Sequence, residues 1–173
     1  MRSSPRDVEL ELHFEPPLGG TEPSGTHLLG GSLGVRFLDL FLVEGGANLI
    51  VMGGSGNFPA AAVEPFVRAG LSVPLTDGRV RERGWVVRIP VLATYSVVPF
   101  DVCYDDSCSS TELPFVGGMT GLDFVHWRGG VGFTLRALVG VERELGAHPR
   151  WQGDTSPTTD SGLAASVSLG FAL

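Results

Sequence analysis

The residues with chemistry to offer are four histidines, two cysteines, and carboxylates and arginines set between apolar neighbours. Glu9, Glu11, Glu44, Glu64, Asp123 and Glu142 carry negative charge, and Arg36, Arg68, Arg88 and Arg136 oppose them. An arginine fork matches a carboxylate with two hydrogen bonds, so these residues suit mutual pairing. A paired ionic core is favoured over a polar thread for protons or small ions. Cys103 and Cys108 lie in VCYDDSCSS, and a pair that close reads as a small disulfide formed in an oxidising compartment. Half of a metal site with Asp105 and Asp106 is the alternative, but no second Cys/His cluster supports it. No metal and no cofactor are expected. The histidines offer no base with a nucleophile beside it. His13 lies between Leu12 and Phe14, His27 precedes Leu28, Trp127 and Arg128 follow His126, and His148 precedes Pro149. No Gly-x-Ser-x-Gly elbow is present. Each histidine reads as an interfacial or loop residue, and no enzymatic activity is expected.

Those charges have to be positioned by strands. In Gly84–Val97, GWVVRIPVLATYSV, the residues Trp85, Val87, Ile89, Val91, Ala93, Tyr95 and Val97 fall on one side. Val86, Arg88, Pro90, Leu92, Thr94 and Ser96 fall on the other, so one face is wholly apolar and the other mixed. A tilted strand of about 9–11 residues crosses a bilayer, although period-2 patterning alone also suits a soluble sandwich. Composition narrows the choice. Charged residues are 18% against 43% hydrophobic, and mean hydropathy is +0.20. There is no run of 18 apolar residues to make a transmembrane helix. Strands with one lipid-facing side account for that combination. The net charge of −7 gives no electrostatic footprint for nucleic acid.

The same alternation predicts eight strands in one barrel domain over 1–173, near 7–15, 26–38, 41–53, 62–75, 84–97, 113–126, 130–142 and 162–173. Phe37, Trp85, Phe133 and Phe171 would mark one rim, and Phe14 and Tyr95 the other, as aromatic girdles do. Phe66 falls on the polar side, out of pattern. Connections after strands one, three, five and seven are long; those after two and six are short. The long ones cover 16–25, 53–61, 98–112 and 143–161 and carry Asp105, Asp106, Glu112, Glu144, Asp154 and Asp160. The turn near Leu38–Leu40 has only Asp39 as a turn former. Inward glycines at 30, 34, 46, 70, 132, 140 and 170 would make room for long side chains or strand curvature.

With those elements in place, RGWVVRIPVLATY resembles the strand of bacterial outer-membrane β-barrel domains that runs aromatic, I-P-x-L, Tyr. The closing ASVSLGFAL is similar to the C-terminal strand that the barrel-assembly machinery reads, with Leu173 in place of the usual Phe. The resemblance implies an all-β, eight-stranded, antiparallel up-and-down transmembrane barrel of the small OmpA/OmpX-like kind. It implies a monomer in the outer membrane of a Gram-negative bacterium, partnered by the lipid bilayer and, during biogenesis, by the assembly machinery. A structural, adhesive or surface-binding role through the extracellular loops is then expected, and a wide pore is not. One group of such barrels deacylates lipid A with a His-x-Ser pair, and the Ser is missing after His126. The start, MRSSPRDVELEL, lacks the h-region of a signal peptide, so a mature, truncated or misplaced start is expected. The rival reading is a soluble lipocalin-like barrel with the apolar face turned inward around an apolar ligand.

Overall fold

The computed structural model describes residues 8–15, 25–52, 62–76, 83–104, 107–145 and 161–173, and at some strand ends the backbone alone. Eight strands are present: β1 (Val8–Glu15), β2 (Gly25–Phe37), β3 (Phe41–Met52), β4 (Ala62–Pro74), β5 (Arg83–Tyr104), β6 (Ser107–Arg128), β7 (Val131–Glu144) and β8 (Ser161–Ala172). Each pairs antiparallel with the next, and β8 returns to β1, closing an up-and-down barrel. Closure gives each strand a hydrogen-bonded neighbour on both sides within the barrel wall. The architecture is the eight-stranded antiparallel barrel that the sequence resemblance implied.

The short turns gather at one end. Between β2 and β3, Leu38 and Asp39 both have positive φ, 53° and 58°, and the Leu40 N–H donates to the Phe37 carbonyl at 3.0 Å. Three residues, Leu38–Leu40, thus join Phe37 to its ladder partner Phe41, and a tight turn with both central residues left-handed normally selects Asn-Gly. Leu38 is a poor fit to that geometry, which is why the sequence does not mark the turn. Between β6 and β7 the same role falls to Gly129 and Gly130, φ 63° and 87°, and Trp127 and Arg128 remain in the strand.

The largest departure from expectation is at 98–112. This segment was expected to be a loop; instead β5 continues to Tyr104 and β6 begins at Ser107, paired from Val97↔Pro114 to Tyr104↔Ser107. The β4–β5 register ends at Phe66↔Ser96 and the β6–β7 register at Phe115↔Glu144. Among the described residues, therefore, the two strands run on past their neighbours as a hairpin arm.

Pro90 interrupts the β5–β6 ladder, which pairs Arg88↔Asp123 and resumes at Val91↔Thr120. Proline has no N–H to give. Its carbonyl is instead met by the Thr120 hydroxyl at 2.9 Å, although Thr120 faces outward and is exposed. Without that hydroxyl the carbonyl would lose this donor. Thr120→Val should therefore lower stability by about 1–2 kcal/mol, read as a fall in the urea midpoint, whereas Thr120→Ser should retain it. An unchanged midpoint in the valine variant would show that the hydroxyl is dispensable.

Candidate functional site: the buried ionic interior

Alternation becomes a physical inside and outside once the barrel closes. Leu33, Val43, Val63, Val67, Val91, Val139, Val141 and Leu169 are all exposed on the outer wall. Arg36, Glu44, Arg88, Asp123 and Arg136 are at most 1% exposed inside it. A water-soluble domain hides large apolar side chains and solvates arginine and carboxylate; here the two are exchanged.

The interior charges form one connected cluster. Arg136 lies between two carboxylates, its Nη1 donating to Glu44 Oε2 at 2.6 Å and its Nη2 to Asp123 Oδ2 at 3.4 Å. Arg68 Nη1 donates to Glu44 Oε1 at 3.1 Å, and Arg36 Nη2 to Asp123 Oδ2 at 3.1 Å. Arg88 Nη1 stands 3.9 Å from the same Asp123 oxygen. The arginines come from β2, β4, β5 and β7 and the carboxylates from β3 and β6, so two acids tie six strands across the interior. Charges withdrawn from water hold only when paired and hydrogen-bonded. Sharing each carboxylate among several guanidiniums meets that requirement with few acids.

Toward the loop end two carboxylates also meet neutral donors. Glu64 accepts from Asn48 Nδ2 at 3.0 Å, and Glu142 accepts from the Thr94 hydroxyl at 3.4 Å. Phe66, out of pattern on the polar side, has a reason to be inside: the Arg68 guanidinium lies 4.2 Å from its ring centroid. A cation over an aromatic face is attracted by the ring's quadrupole. Two apolar patches complete the filling. Leu42, Leu92, Met119 and Leu138 pack beside the ionic cluster, and Val86, Val125, Trp127 and Ala172 pack near the short-turn end.

A packing rule emerges that sequence reading could not reach without the register. Inward glycines stand opposite large inward residues: Gly46 opposite Phe66, Gly70 opposite Leu92, Gly121 opposite Leu138, Gly132 opposite Trp127 and Gly140 opposite Met119. An eight-stranded barrel has an interior that side chains just fill. A glycine lets its strand press against the next one, and the large neighbour covers the gap.

The expected network residues meet as follows. Arg36, Glu44, Arg68, Arg88, Asp123 and Arg136 are brought together; Glu64 is buried and accepts from Asn48, and Glu142 is half-buried and accepts from Thr94. Glu9 stands opposite Arg36 and Glu11 opposite Gly34 in the ladder, but their side chains lie outside the described ones. Of the girdle residues, Phe37, Trp85, Tyr95, Phe133 and Phe171 are exposed on the wall, with Phe133 and Phe171 5.3 Å apart at their centroids. The Phe14 side chain is not among those described. Two expectations are corrected. His13 is not interfacial: it is 2% exposed inside the barrel, Nδ1 3.3 Å from Ser168 Oγ and 3.5 Å from Thr134 Oγ1. Its position on the same side as Glu9 and Glu11 was the available signal. Glu144 is not a loop acid but the buried end of β7. His126 does lie on the outer wall, its ring 4.7 Å from that of Trp85. His148, Asp154 and Asp160 and most of the long connections lie outside the described residues. Among the described residues, no group of His, Cys, Asp and Glu is placed to hold a metal ion.

Comparison with known proteins adds little to this geometry. No family model and no curated protein matches the chain. Among solved structures, the chain is similar to the N-terminal β-barrel domain of Pseudomonas aeruginosa OprF. The two share 14% identity over 96% of this chain and 98% of that one, with a TM-score of 0.47.

Proposed function

We propose that this protein is an integral barrel of the bacterial outer membrane, whose role is structural and surface-presenting and not enzymatic. The observation that carries the reading is the exchange of inside and outside: a closed wall of exposed Leu, Val and Phe around buried Arg36, Glu44, Asp123 and Arg136. Lipid reverses the usual economy of burial, favouring apolar contact outside and confining charge to the lumen. The lipocalin-like alternative needs an apolar lumen and a charged wall, and this barrel has neither. An ionic cluster backed by Trp127 and its apolar neighbours fills the lumen, which favours a solid core over a pore. His13 approaches two hydroxyls, but Ser168 is 1% exposed, a poor place for a nucleophile to meet a substrate.

Surface presentation would fall to the loop end, where the hairpin arm bears Asp101, Asp105, Asp106 and Glu112 in sequence. Cys103 and Cys108 stand directly opposite each other there. Directly opposed residues of an antiparallel pair have Cα atoms about 4.5–5.5 Å apart, within the range a disulfide spans. An oxidised clasp on an exported chain, a monomeric state and passage through the barrel-assembly machinery all belong to this reading. The test is a gel: detergent-folded protein, boiled and unboiled, in SDS. A faster unboiled band is expected from a closed SDS-resistant barrel. Coincident bands, with a monomer stable in plain buffer, would overturn the membrane reading.

A further inference from the structure

The two short turns at one end of the barrel differ in kind. Between β6 and β7, exposed Arg128 leads into Gly129 and Gly130. Between β2 and β3 the chain reads Phe37, Leu38, Asp39, Leu40 and Phe41, and Leu38 takes a φ of 53°, which leucine disfavours. Leu38 is 66% exposed, and Phe37 and Phe41 beside it are exposed as well. Asp39 is half-buried, with its Oδ1 shielded from solvent. The turn's backbone is also met from within. The Leu40 N–H donates to the Phe37 carbonyl at 3.0 Å, and the Leu40 carbonyl accepts from the Ser72 N–H at 2.7 Å. Water would select Asn-Gly at such a turn; hydrocarbon favours an apolar tip whose backbone is satisfied internally.

The Ser72 contact fixes the level of the turn. On β4 the outer wall continues past Ser72 through Val73 and Leu75, both exposed. On β5 it continues past Pro90, the ladder partner of Ser72, through half-buried Ile89 and Val87 to exposed Trp85. The backbone stays satisfied there too: the Leu75 N–H donates to the Val87 carbonyl at 2.8 Å, and the Val87 N–H to Thr76 Oγ1 at 3.1 Å. Ser72 to Leu75 is about 10 Å along the strand, or about 7 Å of depth at a tilt of about 45°. Tryptophan settles at the headgroup level. The neighbouring strands therefore reach that level, and the β2–β3 turn stops short of it.

We propose that the Leu38–Leu40 turn is submerged beneath the lipid headgroups, and that Phe37, Leu38 and Phe41 form a contact site for lipid acyl chains. The site rests on the membrane reading above and continues the exposed apolar wall that lipid covers in that reading. Burying the Leu38 side chain in hydrocarbon offsets the strain of its left-handed backbone. The Arg128 turn, by contrast, meets the aqueous side.

Two measurements on the full chain folded into phosphatidylcholine vesicles test it. In a Cys103→Ser, Cys108→Ser background, nitroxide labels are placed at Leu38→Cys, at Arg128→Cys by the other turn, and at Val91→Cys on the exposed wall. Collisions with oxygen, which concentrates in hydrocarbon, and with a water-soluble nickel complex report the depth of each label. The label at 38 should resemble that at 91, open to oxygen and closed to nickel, and the label at 128 should show the reverse. Equal nickel exposure at 38 and 128 overturns the proposal. The second measurement is the sign of Leu38→Asn in a urea titration. Asparagine suits a left-handed position, so with the turn in water this variant would be the more stable. With the turn in hydrocarbon the amide is buried without compensation, and the urea midpoint should fall. A raised or unchanged midpoint overturns the proposal too. If the label at 91 is as open to nickel as that at 128 and the SDS-resistant band is absent, the membrane reading has failed, and this site with it.

Discussion

Glu44→Ala should destabilise the barrel by about 3–5 kcal/mol, the usual cost of removing one partner from a buried ion pair. Glu44 accepts from Arg68 at 3.1 Å and from Arg136 at 2.6 Å, and its side chain has no exposure to water. Truncation removes the acceptor that the two guanidiniums share, while Arg136 keeps its 3.4 Å contact to Asp123. The comparison that separates pairing from packing is the triple variant Glu44→Leu, Arg68→Met, Arg136→Met. Replacing a buried ionic group by apolar residues of similar volume is often near neutral, so the triple variant should be more stable than Glu44→Ala alone. Glu142→Gln, which touches a neutral hydroxyl at 3.4 Å, should cost no more than about 1 kcal/mol. Urea titration of the folded barrel followed by tryptophan fluorescence would rank all three. If Glu44→Ala and Glu142→Gln proved equal, the ionic cluster would not be what holds the interior together.

Gly121→Val should be at least as damaging, while Gly118→Val three residues away should be tolerated. A Cβ built on Gly121 would run into the Ala137 carbonyl oxygen and come within 2.9 Å of the Ala137 carbonyl carbon and 3.0 Å of Leu138 Cα. These are backbone atoms of the next strand, and they cannot rotate away. The two strands would have to separate where Gly121 pairs with Leu138, at a cost of about 3 kcal/mol or more. On Gly118, which faces outward, the same Cβ would meet only the Leu92 carbonyl oxygen at 3.8 Å, an ordinary contact. Loss of the fast unboiled band in Gly121→Val, with its retention in Gly118→Val, is the expected pair of results. Equal tolerance of both would mean that the β6–β7 approach is not needed for closure.

How far these features were legible depends on what each one requires. Inward and outward assignment needs only alternation, which is why Arg36, Arg68, Arg88, Asp123 and Arg136 were placed inside from sequence. Partner choice needs register. Nothing in the spacing of Glu44 and Arg136 says that they meet, since 92 residues separate them and their strands are not neighbours. The pairing of Gly121 with Leu138 was invisible for the same reason. The turn near Leu38–Leu40 was placed from sequence but its residues were not fixed, because its left-handed backbone is carried in part by Leu38, which does not favour it. The β5–β6 extension was missed for a different cause. Val98, Phe100, Val102 and Tyr104 do alternate, but with Pro99, Asp101 and Cys103 between them. Above a lipid band the outer face need not be apolar, so the pattern that identifies a membrane strand fails where the strand outgrows the membrane.

That outgrowth sets a distance. From Val97↔Pro114 to Tyr104↔Ser107, at about 3.4 Å per residue, the arm is roughly 24 Å long. The headgroup zone on each side of a bilayer is only about 5–8 Å deep. With the barrel in a bilayer as proposed, an arm rising from the headgroup boundary would carry its tip into the aqueous phase. Its reach would make it a mast that lifts Cys103 and Cys108 beyond the ends of the neighbouring strands.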